Sequence, residues 1–185
     1  MKTFDELWRD LEERSRRWAI PIVQDYKELE YVFNLIKGCK SYLEVGTAEG
    51  NGLYVLSNAL ADNSCIRVVD FGEKHTKAAR DEATGTLQTS NYFECLDNSH
   101  SKKAMNFALA DSNYEVVFID AGHSYEDVIA DSAVYAPLAT KYVIFHDIQM
   151  PPVKAAVEWY LKQNPQFKYH EFINSTTYGY GIIEV

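Results

Sequence analysis

Acidic residues stand where successive apolar runs of the sequence end. Glu44 lies in the run SYLEV, and Asp70, Asp120 and Asp147 close the runs CIRVVD, YEVVFID and KYVIFHD. Asp97 follows a further run, YFECL. A turn-forming Asp explains any one of these positions. If the runs are parallel strands, however, all five carboxylates meet at one rim of a sheet, where a ligand with cationic groups can bind.

Three glycines follow the first run, in the segment GTAEGNG. Gly46, Gly50 and Gly52 have the spacing G-x-x-x-G-x-G, whereas the fingerprint that binds a dinucleotide pyrophosphate reads G-x-G-x-x-G. Glu44, just before the loop, would repel a phosphate. The loop therefore favours a ligand that has no phosphate and carries cations, such as S-adenosylmethionine with its sulfonium and amino groups. A tight strand-to-helix turn without a ligand is the alternative for this segment alone.

The pattern of elements predicts a parallel α/β sheet. The five runs are short and rich in Val, Ile, Tyr and Phe, as buried parallel strands are, and longer segments separate them. A last helix, PPVKAAVEWYLKQN, precedes FKYHEF and YGYGIIEV, which should pair as a hairpin. Apolar periodicity predicts helices over residues 3–18 and about 24–37. We predict one domain, 1–185, in which an N-terminal helical segment, 1–23, precedes a core, 24–185.

Composition and charge limit the classes of partner. The net charge of −9 disfavours broad contact with nucleic acid or anionic lipid, because both require a basic face. The sequence shows no apolar segment long enough to span a membrane and no signal-peptide pattern. Cys39, Cys65 and Cys95 lack paired zinc spacing and are expected to be buried free thiols. We expect a cytoplasmic protein that binds neither nucleic acid nor membrane.

The ordered set LEVGTAEGNG, VVD and FIDAGHSYEDV...D...YAPL....YVIFHDI resembles the class I S-adenosylmethionine-dependent methyltransferases. The nearest branch is the small O-methyltransferases, similar to the catechol and caffeoyl-CoA enzymes and to a bacterial and phage group with a D-x-x-H-S-Y-E segment. The resemblance covers about residues 24–185. It implies a Rossmann-like three-layer αβα sandwich. Its seven-stranded, mostly parallel sheet would have the order 3-2-1-4-5-7-6 and an antiparallel last strand.

The resemblance also implies which residues bind S-adenosylmethionine. Asp70 is placed to accept hydrogen bonds from both ribose hydroxyls, Phe71 to lie against the adenine, and Ser99 matches an adenine-side serine of the catechol enzymes. Tyr178 and Tyr180, beside the predicted hairpin, are placed to approach the same pocket. The full set implied for the cofactor is Glu44, Gly46, Thr47, Gly50, Asn51, Asp70, Phe71, Asp97, Ser99 and Asp120.

Methyl transfer requires an oxygen nucleophile aligned with the sulfonium methyl, and a base or a metal that acts on its proton. His123 and Asp120 are the catalytic candidates. His123 stands where the catechol enzymes carry their catalytic lysine, although it also fits a helix cap or a contact with the cofactor carboxylate or a water. Asp120 and Asp147 match metal positions of that branch, but Ile148 replaces its asparagine ligand. We predict a weak, substrate-assisted Mg²⁺ or Mn²⁺ site. His146 should be buried, hydrogen-bonded and turned away from Asp147.

The leading function is O-methylation of a small molecule or a sugar hydroxyl. One alternative is a protein of this fold that binds the cofactor without catalysis, as a sensor or scaffold. Another is a nucleotide-dependent oxidoreductase, which the glycine spacing and Glu44 oppose. The N-terminal helix is a lid over the acceptor site, a homodimer surface, or a helix that docks on the sheet. The motifs do not specify the acceptor, because variable loops build acceptor pockets.

Overall fold

The computed structural model describes residues 2–72, 77–85, 91–111 and 113–185. Within these ranges, seven strands alternate with helices along the chain. The strands are β1 (Ser41–Val45), β2 (Cys65–Asp70), β3 (Asn91–Leu96), β4 (Tyr114–Ile119), β5 (Ala139–Phe145), β6 (Lys168–Phe172) and β7 (Tyr180–Glu184). The α-helices are α1 (Phe4–Trp18), α2 (Tyr26–Leu35), α3 (Asn51–Ser57), α4 (Lys77–Gly85), α5 (Lys102–Leu109), α6 (Tyr125–Tyr135) and α7 (Pro151–Gln163). A 3₁₀ turn, Ala136–Leu138, follows α6.

The seven strands form one sheet in the order β3-β2-β1-β4-β5-β7-β6. The strands β1 to β5 pair in parallel, and β7 runs antiparallel to both β5 and β6. The predicted strand order, the terminal hairpin and the antiparallel last strand are confirmed. The hairpin follows from the short connection 173–179, which cannot hold the crossover helix that a parallel pair needs.

Register brings the carboxyl ends of the central strands level. Val45 pairs with Val69 of β2 and with Ile119 of β4, and Ile119 in turn pairs with Phe145 of β5. The polar residues that follow these strands therefore emerge at one edge of the sheet. The rim predicted from the acidic strand ends is confirmed, and it lies where ligands bind open α/β sheets.

Helices cover both faces of the sheet. Neighbouring strand residues alternate between two apolar cores: Tyr42 packs with α1, α2 and α3, whereas Leu43 packs with α5, α6 and α7. Strands buried on both faces are the reason for the nearly continuous apolar runs in the sequence. The arrangement is the predicted three-layer αβα sandwich.

The N-terminal helix α1 packs against this core. Thr3 and Glu6 form a reciprocal capping box at its start, and Leu7 and Leu11 are fully buried. At its end Trp18 stays 39% exposed. Burial of the leucine stripe accounts for the docking of α1, and the roles of lid or homodimer surface stay predictions, as does the division at residue 23.

The second helix is shorter than predicted. It begins after Asp25, whose side chain accepts hydrogen bonds from the backbone N–H groups of Lys27 and Glu28 and so caps the helix. The helix ends at Leu35, and Gly38 follows in a left-handed conformation. The N-cap therefore decides the boundary that periodicity alone placed two residues earlier.

Two further expectations concern the cysteines and membranes. Cys39 and Cys95 are buried and Cys65 is half-buried, and all three are free thiols. Among the helices in the described ranges, none is long and apolar enough to cross a membrane.

Candidate functional site

The loop after β1 forms the floor of the site. Gly46 has φ 88°, and a Cβ there would lie 2.3 Å from the carbonyl oxygen of Asp120. Gly50 has φ 75°, and its Cβ would lie 3.0 Å from the Cβ of Ala83. Only glycine accommodates both the left-handed backbone and these approaches. The two glycines thus seat the loop against the end of β4 on one side and against α4 on the other.

A cavity of about 420 Å³ opens above this loop. The predicted cofactor residues Gly46, Asp70, Phe71, Ser99 and Asp120 line it. Asn98, which with Asp97 and Ser99 follows the third strand where contacts to the adenine edge are expected, lines it too. Sequence reasoning missed other lining residues, although His100 directly follows Ser99. These missed residues include Ala48, Glu49, His100, Gly122 and Asp127.

A smaller pocket of about 50 Å³ adjoins the cavity and is called the side pocket here. It contains the predicted residues Glu44, Thr47 and Asn51. Gln24 and Tyr180 complete its wall from distant parts of the chain. The side pocket and the cavity share Gly46, Ala48, Glu49 and Asp120, so both adjoin the glycine loop.

Asp97 does not take the predicted position. Its carboxylate accepts a hydrogen bond from the backbone N–H of Asn98 at 2.8 Å and lies 3.7 Å from the Nζ of Lys103. Asn98, not Asp97, lines the cavity. The aspartate acts as the turn former that its residue type suggests.

Asp70 holds the glycine loop. One carboxylate oxygen accepts hydrogen bonds from the backbone N–H groups of Thr47 and Ala48, both at 2.9 Å. The other accepts from the N–H of Gly72 at 2.7 Å and lies 3.5 Å from the buried guanidinium of Arg80. The carboxylate thereby joins β2, the loop and α4. The predicted contact with the ribose hydroxyls stays a prediction, and it would share a carboxylate that already organises the loop.

Glu44 is a buried acid in the side pocket. Its side chain accepts a hydrogen bond from the hydroxyl of Tyr42 at 2.5 Å. Burial raises the pKa of Glu44 to about 7, and the nearby carboxylates of Asp120 and Asp70 act in the same direction. A cation placed beside this carboxyl group would stabilise its ionised form. The side pocket is thus suited to a positively charged ligand group.

His123, His146 and Asp147 gather around Asp120, which lines both the cavity and the side pocket. His123 Nε2 lies 3.0 Å from Asp147 Oδ2 and 3.6 Å from Asp120 Oδ1. On the other side, His146 Nδ1 lies 3.1 Å from Asp120 Oδ1 and 3.5 Å from Asp147 Oδ1. The structure thus brings the candidates Asp120, His123 and Asp147 together.

The predicted orientation of His146 is wrong in one respect. His146 is buried and hydrogen-bonded to Asp120, as expected, but it also faces Asp147. The strand β5 ends at Phe145, and Asp147 has φ 55°. Because the left-handed residue turns the chain, the two-residue alternation of a strand no longer applies.

The four side chains balance one another's charge. Hydrogen bonds to Asp120 and Asp147 raise the pKa of His123 to about 10. Burial disfavours the ionised carboxylate of Asp120, yet the charges of His146 and His123 prevail and lower its pKa. In this arrangement His123 is protonated at neutral pH and offsets the charge of the aspartates.

Three of these residues also suit a metal ion. Asp120, His146 and Asp147 each offer a ligand atom, and these atoms lie within 4.8 Å of one another. Carboxylate oxygens bind Mg²⁺ and Mn²⁺, and an imidazole nitrogen adds a ligand that transition metals accept. Ile148 is fully buried and contributes no ligand, so the donor set departs from the aspartate–asparagine pair of the catechol branch.

A buried carboxylate fixes the loop beside this cluster. The side chain of Glu28 accepts hydrogen bonds from the backbone N–H groups of Asn174 and Ser175, both at 2.6 Å, and of Gly179 at 2.9 Å. The ring of Tyr178, in the same loop, stacks on His146 with centroids 5.8 Å apart. Helix α2 thereby positions a wall of the site, which sequence reasoning did not identify.

A family model described as a methyltransferase domain matches residues 43–148, more than half of the chain. The matched segment contains the glycine loop, Asp70, Asp120 and the histidine–aspartate cluster. The chain belongs to this methyltransferase family. No curated protein sequence matches this chain.

Solved structures share the fold at low sequence identity. A proposed O-methyltransferase of Klebsiella pneumoniae is 12% identical with a TM-score of 0.77, over 97% of this chain and 89% of that one. An O-methyltransferase of Bacillus cereus in complex with SAH is 16% identical with a TM-score of 0.74, over 95% and 90%. An rRNA methylase of Streptococcus thermophilus is 11% identical with a TM-score of 0.64, over 89% and 98%. At these identities the likeness concerns the fold alone.

Family and fold confirm the resemblance to the class I S-adenosylmethionine-dependent methyltransferases. The methyltransferase is an enzyme of that class, and the oxidoreductase alternative is wrong. The residues fit the cofactor on physical grounds. Gly46, Ala48 and Glu49 of the glycine loop line the cavity, so a ligand there lies across the loop, and Glu44 is a buried carboxyl group suited to a cationic ligand.

Proposed function

We propose that this methyltransferase transfers the methyl group of S-adenosylmethionine to a hydroxyl oxygen of a small molecule or a sugar. The cluster of Asp120, His123, His146 and Asp147 beside the cofactor cavity carries this proposal. It is a polar, charged centre that can bind and orient a hydroxyl group. The O-methyltransferases among the structures that share the fold support the same acceptor atom.

Methyl transfer forms a carbon–oxygen bond, breaks a carbon–sulfur bond and releases the hydroxyl proton. The acceptor oxygen attacks the methyl carbon, the carbon–sulfur bond breaks, and the electron pair of that bond stays on sulfur as S-adenosylhomocysteine leaves. The hydroxyl proton passes to a base or to solvent. Alignment of the oxygen with the methyl group supplies much of the acceleration, and the charged cluster lowers the cost of removing the proton.

We propose a divalent metal, Mg²⁺ or Mn²⁺, held by Asp120 and Asp147, with His146 as a third donor. A bound divalent ion lowers the pKa of a hydroxyl that coordinates it. With few protein ligands the site is weak, and an acceptor with two adjacent hydroxyl groups would complete it. The imidazole donor favours Mn²⁺ over Mg²⁺.

His123 is the second candidate for proton removal. As long as it pairs with Asp120 and Asp147 it holds its own proton at neutral pH, and an imidazolium cannot act as a base. Neutralisation of the two aspartates by a cation would weaken the interactions that raise the pKa of His123. Metal binding and a His123 base are therefore compatible.

The test is transfer of a labelled methyl group to a panel of catechols, sugars and other hydroxyl compounds, assayed in EDTA and after addition of Mg²⁺ or Mn²⁺. We expect activity that falls in EDTA and returns with Mn²⁺ at a lower concentration than with Mg²⁺. Asp147→Asn should lose the metal response, whereas His123→Gln should retain metal binding and lose turnover. Full activity in EDTA would show that methyl transfer needs no divalent metal and would contradict the proposed metal site.

Binding of S-adenosylhomocysteine without methyl transfer to any acceptor of the panel would contradict a hydroxyl acceptor. The fold alone does not determine the class of acceptor, because an rRNA methylase has the same fold. We propose a small acceptor because the net charge of −9 opposes contact with a polyanion, and we propose a cytoplasmic location.

A further inference from the structure

We propose that Arg14 and Glu82 are positioning residues for the cofactor, because they lock helix α4 to the N-terminal helix α1. Helix α4 in turn holds Asp70 and the glycine loop. None of the described residues that line the cavity or the side pocket comes from α1. The helix thus contributes to cofactor binding from outside the site, and the inference rests on the use of S-adenosylmethionine.

Arg14 interrupts the apolar face of α1. Leu7 and Leu11 are fully buried, and Arg14 follows them at the spacing of the same helical stripe, with a side chain that is only 5% exposed. An apolar residue at this position would dock the helix on the core as well, because replacing a buried ion pair by apolar side chains is often neutral or stabilising. The buried charge therefore indicates a role beyond docking the helix.

The guanidinium of Arg14 contacts α4. Its Nη2 donates a hydrogen bond to the carbonyl oxygen of Ala79 at 3.0 Å, and its Nη1 lies 3.8 Å from Oε1 of Glu82. Arg17 Nη1 donates to the same carboxylate oxygen at 2.7 Å, and the indole N–H of Trp18 donates to the other oxygen at 2.5 Å. One carboxylate of α4 thus receives three cationic or donor groups from the last turns of α1.

Another face of α4 holds the glycine loop. Arg80 is buried, and its Nη1 lies 3.5 Å from Oδ1 of Asp70 and donates a hydrogen bond to the carbonyl oxygen of Ala48 at 3.4 Å. Ala83 fits against Gly50, where a Cβ would lie 3.0 Å from the Cβ of Ala83. These contacts tie α4 to the loop that forms the floor of the site.

Helix α4 connects the two sets of contacts within a single turn. Ala79 and Glu82, three residues apart, lie on one face of the helix, and Arg80 and Ala83 lie on the next. A rigid helix carries coupling between the groups packed on its two faces. Side chains that fix α4 from the α1 side therefore also fix Asp70 and the glycine loop. By reciprocity, a cofactor that orders the loop should tighten the docking of α1.

The first test measures the affinity for S-adenosylhomocysteine by calorimetry and the melting temperature of the free protein. Arg14→Met removes the guanidinium and still fills the apolar stripe, while Glu82 keeps its contact with Arg17. We expect a melting temperature close to that of the wild type, and an affinity about fivefold lower, at the lower end of couplings between sites. The matched control is Arg16→Met, which removes the same charge from an exposed position of α1 and should leave the affinity unchanged.

A loss of affinity without a loss of stability is the result that a purely structural role of Arg14 would not give. Wild-type affinity in Arg14→Met would overturn the proposal. An equal loss in Arg16→Met would assign the effect to net charge and overturn it as well. Failure of the wild type to bind S-adenosylhomocysteine would overturn the cofactor and the inference together. The measurements use no acceptor, so their outcome does not depend on the proposed O-methylation.

Hydrogen exchange tests the coupling in the wild type, so it does not depend on how a variant folds. Binding of S-adenosylhomocysteine should slow amide exchange in the last two turns of α1 more than in α7, although neither helix supplies a described lining residue of the cavity or the side pocket. In Arg14→Met this difference should disappear. Equal slowing in α1 and α7 of the wild type would mean that the ligand stabilises the whole protein without coupling to α1, and would overturn the proposal.

Discussion

At the scale of single residues, two acids of the rim do different work. Glu44 is a buried acid that suits a cationic ligand, whereas Asp70 accepts hydrogen bonds from the backbone N–H groups of Thr47 and Ala48 in the loop and of Gly72 after β2. In the sequence both residues stand at the end of a short apolar run, so the pattern does not tell them apart. Their roles differ because one carboxylate faces the side pocket and the other faces the backbone of the glycine loop.

The pH dependence of cofactor binding should reflect the ionisation of the Glu44 carboxyl group. Its pKa of about 7 in the free protein means that it must lose a proton to receive a cation. The affinity for S-adenosylhomocysteine should therefore rise by about five- to tenfold from pH 6 to pH 7.5. Calorimetry across this range measures it. Glu44→Gln should bind more weakly with little dependence on pH, and an equally steep dependence in that variant would contradict the assignment.

Substitutions of Asp70 should affect stability as well as affinity. Asp70→Ala leaves the N–H groups of Thr47, Ala48 and Gly72 without their acceptor, which should cost about 1–3 kcal/mol in the free energy of unfolding. Binding of S-adenosylhomocysteine should weaken in parallel. Asp70→Asn keeps one acceptor oxygen, so its stability and its affinity should lie between those of the wild type and those of Asp70→Ala. Denaturant titration and calorimetry are the measurements, and wild-type values for Asp70→Ala would refute the role.

At the scale of elements, the N-terminal helices help to build the site. Helix α2 holds the loop 174–179 through Glu28, and that loop carries Tyr178 onto His146. The segment before α2 supplies Gln24 to the side pocket. The part of the chain that precedes the matched family segment therefore shapes the side pocket and the surroundings of His146.

Glu28→Gln should weaken the hydrogen bonds that hold the loop 174–179 to α2. An amide presents one acceptor oxygen, so at least one of the three backbone N–H groups meets an NH₂ donor, at a cost of about 1–3 kcal/mol in the free energy of unfolding. Glu30→Gln, on the same helix, is the matched control and should change little. Denaturant titrations compare the two. Equal stability of both variants would show that the buried hydrogen bonds of Glu28 contribute nothing net.

At the scale of the whole molecule, the sheet gathers distant residues at one rim. The parallel strands β1, β2, β4 and β5 end level there, and the antiparallel β7 brings Tyr180 to the same place. The ligand site thus crosses most of the sheet, and a ligand that fills it should stabilise the folded protein as a unit. A homodimer stays a prediction.

Thermal unfolding should distinguish ligands by their charge. S-adenosylhomocysteine at one hundred times its dissociation constant should add about 2.7 kcal/mol to the free energy of unfolding. This gain raises the melting temperature by roughly 5–10 °C for a protein of this size. NAD and ATP should have no effect, because the acidic rim repels their phosphates. Differential scanning calorimetry measures the shifts, and stabilisation by NAD alone would contradict the cofactor.

The sequence by itself determined the elements of this protein and the rim of acids. Apolar runs, glycine spacing and strand-end carboxylates are local patterns, because burial and turn geometry act on neighbouring residues. The strand order and five of the cavity residues, Gly46, Asp70, Phe71, Ser99 and Asp120, followed from the family motifs. Only the tertiary structure decided which side chains converge. His146 turned toward Asp147 because of one left-handed residue, Asn98 and not Asp97 lined the cavity, and Gln24 and Glu28 reached the site through contacts between residues far apart in the chain.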